Sequence, residues 1–146
     1  MGLDSVYGEI LNEHNLRPSH RGNISDATIR LEGKNPTCGD DITLNLTVNE
    51  EGKISAGAFA GAGCAVSQAS TDIMLDLIEG RTPEEALALV ESFMHMVHGI
   101  ATDEELEALD EAQALKDVAH MPARAKCATL AWHTLEKMIR EQIKEQ

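Results

Sequence analysis

The chain begins with a helical pattern of apolar residues and then changes to a strand pattern. Apolar side chains recur three and four residues apart over roughly the first fifteen residues, which predicts an amphipathic helix ending before Pro18. Further along, apolar and polar residues alternate, as expected of half-buried strands. The helical positions are Leu3, Val6, Tyr7, Ile10 and Leu11, and the alternating ones are Ala27, Ile29, Leu31, Ile42, Leu44, Leu46 and Val48.

A hairpin is predicted over residues 41 to 60. The turn residues Asn49–Gly52 separate the alternating stretch around Leu44 from a further one that begins at Ile54. With the earlier strand, this hairpin makes a three-stranded antiparallel sheet. The glycine-rich segment 57–63 permits unusual backbone angles and places Cys64 at the start of a helix, which should stop at Gly80.

The second half of the chain is predicted to be helical throughout. The segment Thr82–Glu85 combines a cap residue, a proline at the first helical position and a glutamate three residues after the cap, and Thr102–Glu105 repeats the cap and the glutamate. A last helix follows Pro122, and its apolar face consists of Ala128, Ala131, Trp132, Leu135, Met138, Ile139 and Ile143. The predicted fold class is therefore α+β, a three-stranded antiparallel sheet covered on one face by helices.

Length and charge limit the possible functions. At 146 residues the chain has the size of one domain, so we expect residues 1–146 to form a single unit. The formal charge of -13 disfavours binding to nucleic acid or to anionic membranes and favours a basic or neutral protein partner. No stretch reaches the roughly 20 apolar residues of a membrane span, and the N-terminus lacks the pattern of a secretory signal. We therefore expect a cytoplasmic protein.

Three cysteines lie at positions that suit thiol chemistry. Cys38 falls in a loop before a strand, Cys64 at a helix start and Cys127 in the first turns of the last helix. Helix N-termini stabilise the thiolate, which is the form that binds metal or attacks sulfur. Asp40 follows Cys38 after the flexible Gly39, so both side chains can point at one ion. Three thiolates and one carboxylate would supply the four ligands of tetrahedral zinc.

The residues by themselves leave this site undecided. The cysteines are not spaced as in a compact zinc finger. An equally compatible interpretation makes each cysteine a small buried apolar residue and Asp40 a turn residue. A metal site of this composition would be anionic, so Arg124 and Lys126, which flank Cys127, would stabilise it. A carboxylate among thiolates also suggests a site from which one ligand can leave.

Histidines are a second source of metal ligands. His95 and His98 are three residues apart on one predicted helix face and could bind a metal, although solvated or capping roles are more common for such a pair. His20 is a weaker candidate for a place near the cysteines. The complete set is His14, His20, His95, His98, His120 and His133.

The segments NPTCGD, GAGCAVSQAS and PARAKCATLAW, in this order around the three cysteines, resemble the IscU and NifU N-terminal family of iron-sulfur cluster assembly proteins. Scaffolds of the IscU branch have a histidine directly before the last cysteine and a chaperone-recognition segment LPPVK. Here Lys126 takes the place of that histidine, and MPAR stands where LPPVK would be. Together with a helical insertion at about residues 82–119, between Cys64 and Cys127, these departures resemble the SufU branch.

This resemblance implies a zinc-dependent sulfurtransferase that accepts persulfide sulfur from a SufS-like cysteine desulfurase and passes it toward a downstream iron-sulfur scaffold. It implies that Cys38, Asp40, Cys64 and Cys127 hold the zinc, and that a histidine of the desulfurase displaces Cys38, the sulfur acceptor. Arg124 would stabilise the anionic sulfur or orient the ligands, and the alternative is a helix-surface arginine with no role in the site; the same two interpretations apply to Lys126. One alternative is a scaffold that binds iron or assembles a [2Fe-2S] cluster on the same residues. Another is a structural zinc module that mediates protein association.

The insertion has two interpretations. Its amphipathic helices could simply extend the core, through Leu87, Val90, Phe93, Met94 and Val97, or they could dock a partner.

Overall fold

The computed structural model describes residues 5–22, 27–35, 40–119 and 121–143, and they include an antiparallel sheet of three strands. Strands β1 (Ile29–Asn35), β2 (Asp40–Val48) and β3 (Ile54–Ala62) are hydrogen-bonded in the order β1-β2-β3. Of the apolar positions predicted to alternate along β2, Ile42, Leu44 and Leu46 are buried and Val48 is partly buried. The predicted sheet and hairpin are confirmed.

The strand register brings one end of the sheet to the cysteine-bearing elements. Asn35 of β1 lies opposite Asp40 of β2, and Asp41 lies opposite Ala62 at the end of β3. Asp40 therefore begins β2 at the same end of the sheet where the chain leaves β3 for Cys64. The free side of β3 is partly covered, because Arg21 forms an isolated parallel bridge with the strand.

Helices make up most of the remainder. They are α1 (Ser5–Leu16), α2 (Ala65–Ile78), α3 (Pro83–Val97), α4 (Asp103–Leu109), a 3-10 helix (Asp110–Leu115), α5 (Lys116–Ala119), α6 (Pro122–Met138) and a π-helical turn (Ile139–Ile143). The two predicted capping boxes are present. Thr82 and Glu85 exchange hydrogen bonds at the start of α3, and Thr102 and Glu105 do so at the start of α4.

Helix α2 lies at the centre of the molecule and contacts α1, α6, β3 and the 3-10 helix. Its residues Ala69–Leu75 are all buried, including polar ones. Helix α6 packs across β1 and β2. Its predicted apolar face is buried at Ala128, Ala131, Trp132, Leu135, Met138 and Ile139, while the side chain of Ile143 lies outside the described part. No helix among the described residues is long and apolar enough to cross a membrane.

Residues 82–119 extend this core. Phe93 of α3 stacks on Trp132 of α6, with ring centroids 4.0 Å apart and planes inclined by 3°. Val90 is buried beside them, and Leu87, Met94 and Val97 pack against the core while remaining partly exposed. The core-extension interpretation of the insertion is thus confirmed, and a docking role stays a prediction.

The glycine-rich segment differs from the expectation. Strand β3 continues through Gly57 to Ala62, and within residues 57–63 only Gly61 has a positive φ, +117°. A Cβ at Gly57 would lie 2.9 Å from Leu75 Cδ2, so glycine at this position permits close packing of β3 on α2. The unusual backbone angle is confined to Gly61, the residue before the last one of β3.

Candidate metal centre

Asp40, Cys64 and Cys127 converge from three different elements. Asp40 opens β2, Cys64 is the N-cap of α2, and Cys127 lies in α6. A carboxylate oxygen of Asp40 and the two sulfurs all lie within 4.8 Å of one another. Asp40 is only 2% exposed and Cys127 3%, while Cys64 is half-buried. Three of the four predicted ligands are thus brought together by the fold.

Cys38 is the fourth predicted ligand and the predicted sulfur acceptor, and it lies outside the described residues. It precedes Asp40 by two positions in the chain. Its participation in the site stays a prediction.

The donors of the group suit zinc. Sulfur and carboxylate oxygen bind this ion at about 2.3 Å and about 2.0–2.2 Å, so ligands of a tetrahedral site stand roughly 3.5–3.8 Å apart. The atoms of Asp40, Cys64 and Cys127 lie within 4.8 Å of one another. Side-chain movements of about one ångström would therefore close the group around an ion.

Cys64 is held through both its backbone and its side chain. Its N–H donates a hydrogen bond to Asp40 Oδ1 at 3.0 Å. Its Sγ accepts a hydrogen bond from the Ser67 N–H at 3.4 Å, which is the N-cap interaction of α2. The sulfur therefore faces the unpaired N–H groups at the positive end of the helix dipole.

Two glycines allow the chain to turn from β3 into α2 next to Asp40. Gly61 has a φ of +117°, and a Cβ there would lie 2.1 Å from the carbonyl oxygen of Asp41. A Cβ at Gly63 would lie 3.3 Å from Asp40 Oδ1 and 3.1 Å from Ser67 Oγ. Side chains at Gly61 and Gly63 would crowd Asp40 and its neighbours in the candidate metal centre.

Cys127 depends on the anchoring of α6 to α2. It is the sixth residue of α6, beyond the first turn, so the helix dipole assists it less than we expected from the sequence. Ser70 Oγ of α2 donates to the Ala128 carbonyl at 2.6 Å and accepts from Trp132 Nε1 at 3.0 Å. These buried bonds fix the helix that carries Cys127 to the helix that Cys64 caps.

The predicted basic residues differ in their placement. Arg124 and Lys126 both belong to α6, and both are exposed. Arg124 lies three residues before Cys127 and therefore on the same side of the helix, whereas Lys126 is its direct neighbour and points to a different side. The geometry favours Arg124 over Lys126 as a supporting cation, and that role stays a prediction.

His20 contacts residues other than the thiol group. His20 Nε2 is 2.8 Å from Asp76 Oδ1, in the C-terminal half of α2, and its Nδ1 is 2.9 Å from the Gly57 carbonyl oxygen. Burial opposes protonation of His20, but the hydrogen bonds to Asp76 and Gly57 outweigh it and raise the pKa above 6.5. His20 is thus not a neighbour of the cysteines, contrary to the sequence-based suggestion.

The His95 and His98 pair has structural roles. His95 Nδ1 lies 2.6 Å from Glu105 Oε2, and His98 is the C-cap of α3. Within the described ranges, no cluster of three metal-binding groups includes either residue. His133 is exposed, and His120 lies outside the described residues.

Three side chains next to the site escaped the sequence analysis. Arg21 donates to Gln68 Oε1 at 2.7 Å and to the Gly61 carbonyl at 3.0 Å, and Gln68 Nε2 donates to the Gly63 carbonyl at 2.7 Å. These bonds hold the turn that leads to Cys64. The third is Ser67, whose buried Oγ has no hydrogen-bond partner among the residues that the structure describes. No periodicity marks such contacts, because most of them join distant parts of the chain.

The fold and the site define a class of small α+β proteins. In this class a carboxylate at the end of the sheet lies next to two cysteine thiols, one at the start of a helix and one within another helix. The chain belongs to the NifU-like N terminal domain family, whose model matches residues 6–145. The resemblance found in the three cysteine motifs is thereby confirmed.

Individual relatives carry two kinds of name. The chain is 41% identical over 144 residues to the "Iron-sulfur cluster assembly scaffold protein IscU" of Streptococcus pyogenes serotype M1, covering 99% of this chain and 89% of that protein. It is 37% identical over 141 residues to the "Zinc-dependent sulfurtransferase SufU" of Bacillus subtilis, covering 96% and 93%. A crystal structure of SufU from Fervidobacterium islandicum superposes on this chain with a TM-score of 0.82 at 36% identity. The match covers 90% of this chain and 94% of that one, and that protein is described as a candidate iron-sulfur cluster assembly scaffold for the SUF system.

Proposed function

We propose that this chain is an iron-sulfur cluster assembly protein that accepts persulfide sulfur from a cysteine desulfurase at a zinc-bound site. The observation that carries the proposal is the convergence of Asp40, Cys64 and Cys127 within 4.8 Å. The names of relatives at 41% and 37% identity support the assembly role, and one of them names zinc-dependent sulfur transfer.

In this proposal Asp40, Cys64 and Cys127 hold the zinc together with Cys38. The ion supplies redox-inert positive charge, which keeps the thiols deprotonated without oxidising them. Asp40 is the hard ligand among soft ones, and such a mixed set tolerates the departure of one member. Cys38 is the member proposed to leave, since the sequence places it in the loop before β2 and not in a helix.

The transfer step conserves atoms and electrons. The Cys38 thiolate attacks the outer sulfur of the desulfurase persulfide, the donor's S–S bond breaks, and a new S–S bond forms on Cys38. The desulfurase cysteine leaves as a thiolate, so no external oxidant is needed. Arg124, which is exposed and lies three residues before Cys127, would stabilise the anionic sulfur. A downstream scaffold then takes the sulfur.

The second candidate function is a scaffold on which a [2Fe-2S] cluster is assembled and passed on. The name of the relative that is 41% identical favours it. It would use the same residues, so the ligands do not separate the two functions. Lys126 favours the sulfur acceptor, because an ammonium group cannot replace the imidazole that scaffolds carry before the last cysteine.

Metal analysis and desulfurase kinetics together test the proposal. Purified protein should contain close to one equivalent of zinc at the thiol centre and should raise the turnover of a cysteine desulfurase. Arg124→Ala should reduce this stimulation, while Lys126→Ala, which removes a neighbouring cation from the same helix, should leave it largely intact. A coloured, iron-bearing protein that leaves turnover unchanged would replace the proposal with the scaffold function.

A further inference from the structure

A second group of metal-binding side chains lies at the far end of α2. His14 of α1, Asp76 of α2 and Glu111 of the 3-10 helix offer ligand atoms that all lie within 4.8 Å of one another. Asp76 follows Cys64 by twelve residues, which separates the two groups by about 18 Å along the helix. This cluster is therefore distinct from the thiol centre.

The imidazole of His14 is oriented by a buried carboxylate. Asp72 is fully buried, and its Oδ2 lies 2.6 Å from His14 Nδ1, while its Oδ1 accepts the His20 N–H at 2.8 Å. Because carboxylates only accept hydrogen bonds, both ring nitrogens donate in the metal-free protein, Nδ1 to Asp72 and Nε2 to Glu111 at 2.8 Å, so a metal ion would take the place of the Nε2 proton. Histidines that bind metals are commonly held in this way, with the second ring nitrogen donating to a carboxylate.

The local charge also calls for a cation. Asp72, Asp76 and Glu111 bring three carboxylates together, whereas His14 and His20 can supply two positive charges at most. A carboxylate oxygen of Asp76 and one of Glu111 lie within 4.8 Å of each other, and like charges this close repel one another. The formal charge of the whole chain, -13, adds to this repulsion. A divalent ion between the two carboxylates would remove their mutual repulsion.

We propose that His14 Nε2, Asp76 and Glu111 form a second metal site, which binds a divalent transition ion such as Zn²⁺. One imidazole and two carboxylates match the ligand preference of such ions and not that of thiolate-seeking Cu(I). The side chains of Asp76 and Glu111 are 47% and 46% exposed, so an ion can enter from solvent. Bound there, it joins α1, α2 and the 3-10 helix.

Zinc titration of the metal-stripped full-length chain by calorimetry tests this site. Two classes of zinc should bind. Glu111→Gln and Asp76→Asn should each weaken one class roughly tenfold or more, as loss of metal-site carboxylates generally does, and should leave the other class unchanged. Cys64→Ser should have the reverse effect. Glu107→Gln, which removes an exposed charge from the neighbouring helix α4, is the matched control and should retain both classes.

The outcome does not depend on the function of the thiol centre, because each set of variants removes its own class. If Glu111→Gln and Asp76→Asn bind zinc as the Glu107→Gln control does, the group is only an ion-pair network and the proposal is wrong. A second readout is thermal stability: zinc should raise the melting temperature of the Cys64→Ser chain, and adding Glu111→Gln should abolish that rise. A rise that survives the second substitution would equally contradict the site.

Discussion

The backbone N–H of Cys64 donates a hydrogen bond to Asp40 Oδ1 at 3.0 Å, so one carboxylate both holds the N-cap of α2 and faces the thiol group. The bond joins residues 24 positions apart, at the start of β2 and at the end of the turn after β3. Asp40 is therefore a structural acceptor as well as a proposed ligand.

Substitutions at Asp40 should separate these two roles. Asp40→Ala leaves the Cys64 N–H without its acceptor and should lower the free energy of unfolding by about 1–3 kcal/mol. Asp40→Asn keeps an acceptor oxygen and should cost less stability, yet both variants should bind zinc more weakly because the carboxylate charge is lost. Denaturant unfolding of the metal-free chain and chelator competition measure the two effects. Equal stability of the Ala and Asn variants would show that the hydrogen bond contributes little.

Gly61 should tolerate no side chain. Gly61→Ala would place a Cβ 2.1 Å from the Asp41 carbonyl oxygen at a φ of +117°, so we expect a loss of roughly 1–3 kcal/mol or more. Gly8→Ala is the matched control: Gly8 lies inside α1, a Cβ there would meet no atom within 4 Å, and alanine should stabilise the helix by about 0.5–1 kcal/mol. Thermal denaturation of both variants checks the opposite signs. A neutral Gly61→Ala would show that the close approach of Gly61 to the Asp41 carbonyl does not limit the side chain at this position.

Phe93 tests whether the insertion belongs to the core. Phe93 is fully buried and stacks on Trp132, so Phe93→Ala should reduce stability by about 3–5 kcal/mol. Phe93→Leu preserves most of the apolar volume and should cost clearly less. Unfolding can be followed through Trp132, which is the only tryptophan of the chain. A cost below about 1 kcal/mol for the alanine variant would mean that residues 82–119 pack independently of α6.

The cap of α3 should make stability depend on pH in the acidic range. The hydrogen bond from the Thr82 N–H holds the pKa of Glu85 below its usual 4.5. Because the folded-state pKa is lowered, this contribution is present above pH 4.5 and is lost as the pH falls through the folded value. The difference in melting temperature between wild type and Glu85→Gln should therefore shrink in more acidic solution. Glu84→Gln, in the same turn but outside the capping box, should show a smaller difference, and equal behaviour of the two would count against the cap.

Local patterns were sufficient to predict most of the elements. Strand alternation at Ile42 and Leu44, and the capping residues at Thr82 and Thr102, act over a few residues, so their outcome depends little on the rest of the chain. The N-cap position of Cys64 was also predictable, since a glycine-rich segment leads directly into an apolar helix. These predictions are confirmed in the described residues.

The candidate site required more than local patterns. Asp40 and Cys127 are far apart in the chain, and nothing in their spacing excludes a buried, inert cysteine; the motif order around the three cysteines supplied the link. The His14 and Asp72 pair, 58 residues apart, was missed altogether. Two aspartates four residues apart in the apolar helix α2, Asp72 and Asp76, were the available signal, but their partners lie on other elements and depend on tertiary packing.

The location of transferred sulfur tests the central claim most directly. Zinc-loaded protein is incubated with a cysteine desulfurase and cysteine, and the peptides are then analysed by mass spectrometry after blocking of free thiols. We predict that the peptide containing Cys38 gains the mass of one sulfur atom, and that Cys38→Ala carries no such addition on Cys64 or Cys127. Added sulfur on Cys64 or Cys127 with none on Cys38, or no added sulfur on any cysteine of a zinc-loaded chain, would contradict the proposed acceptor function.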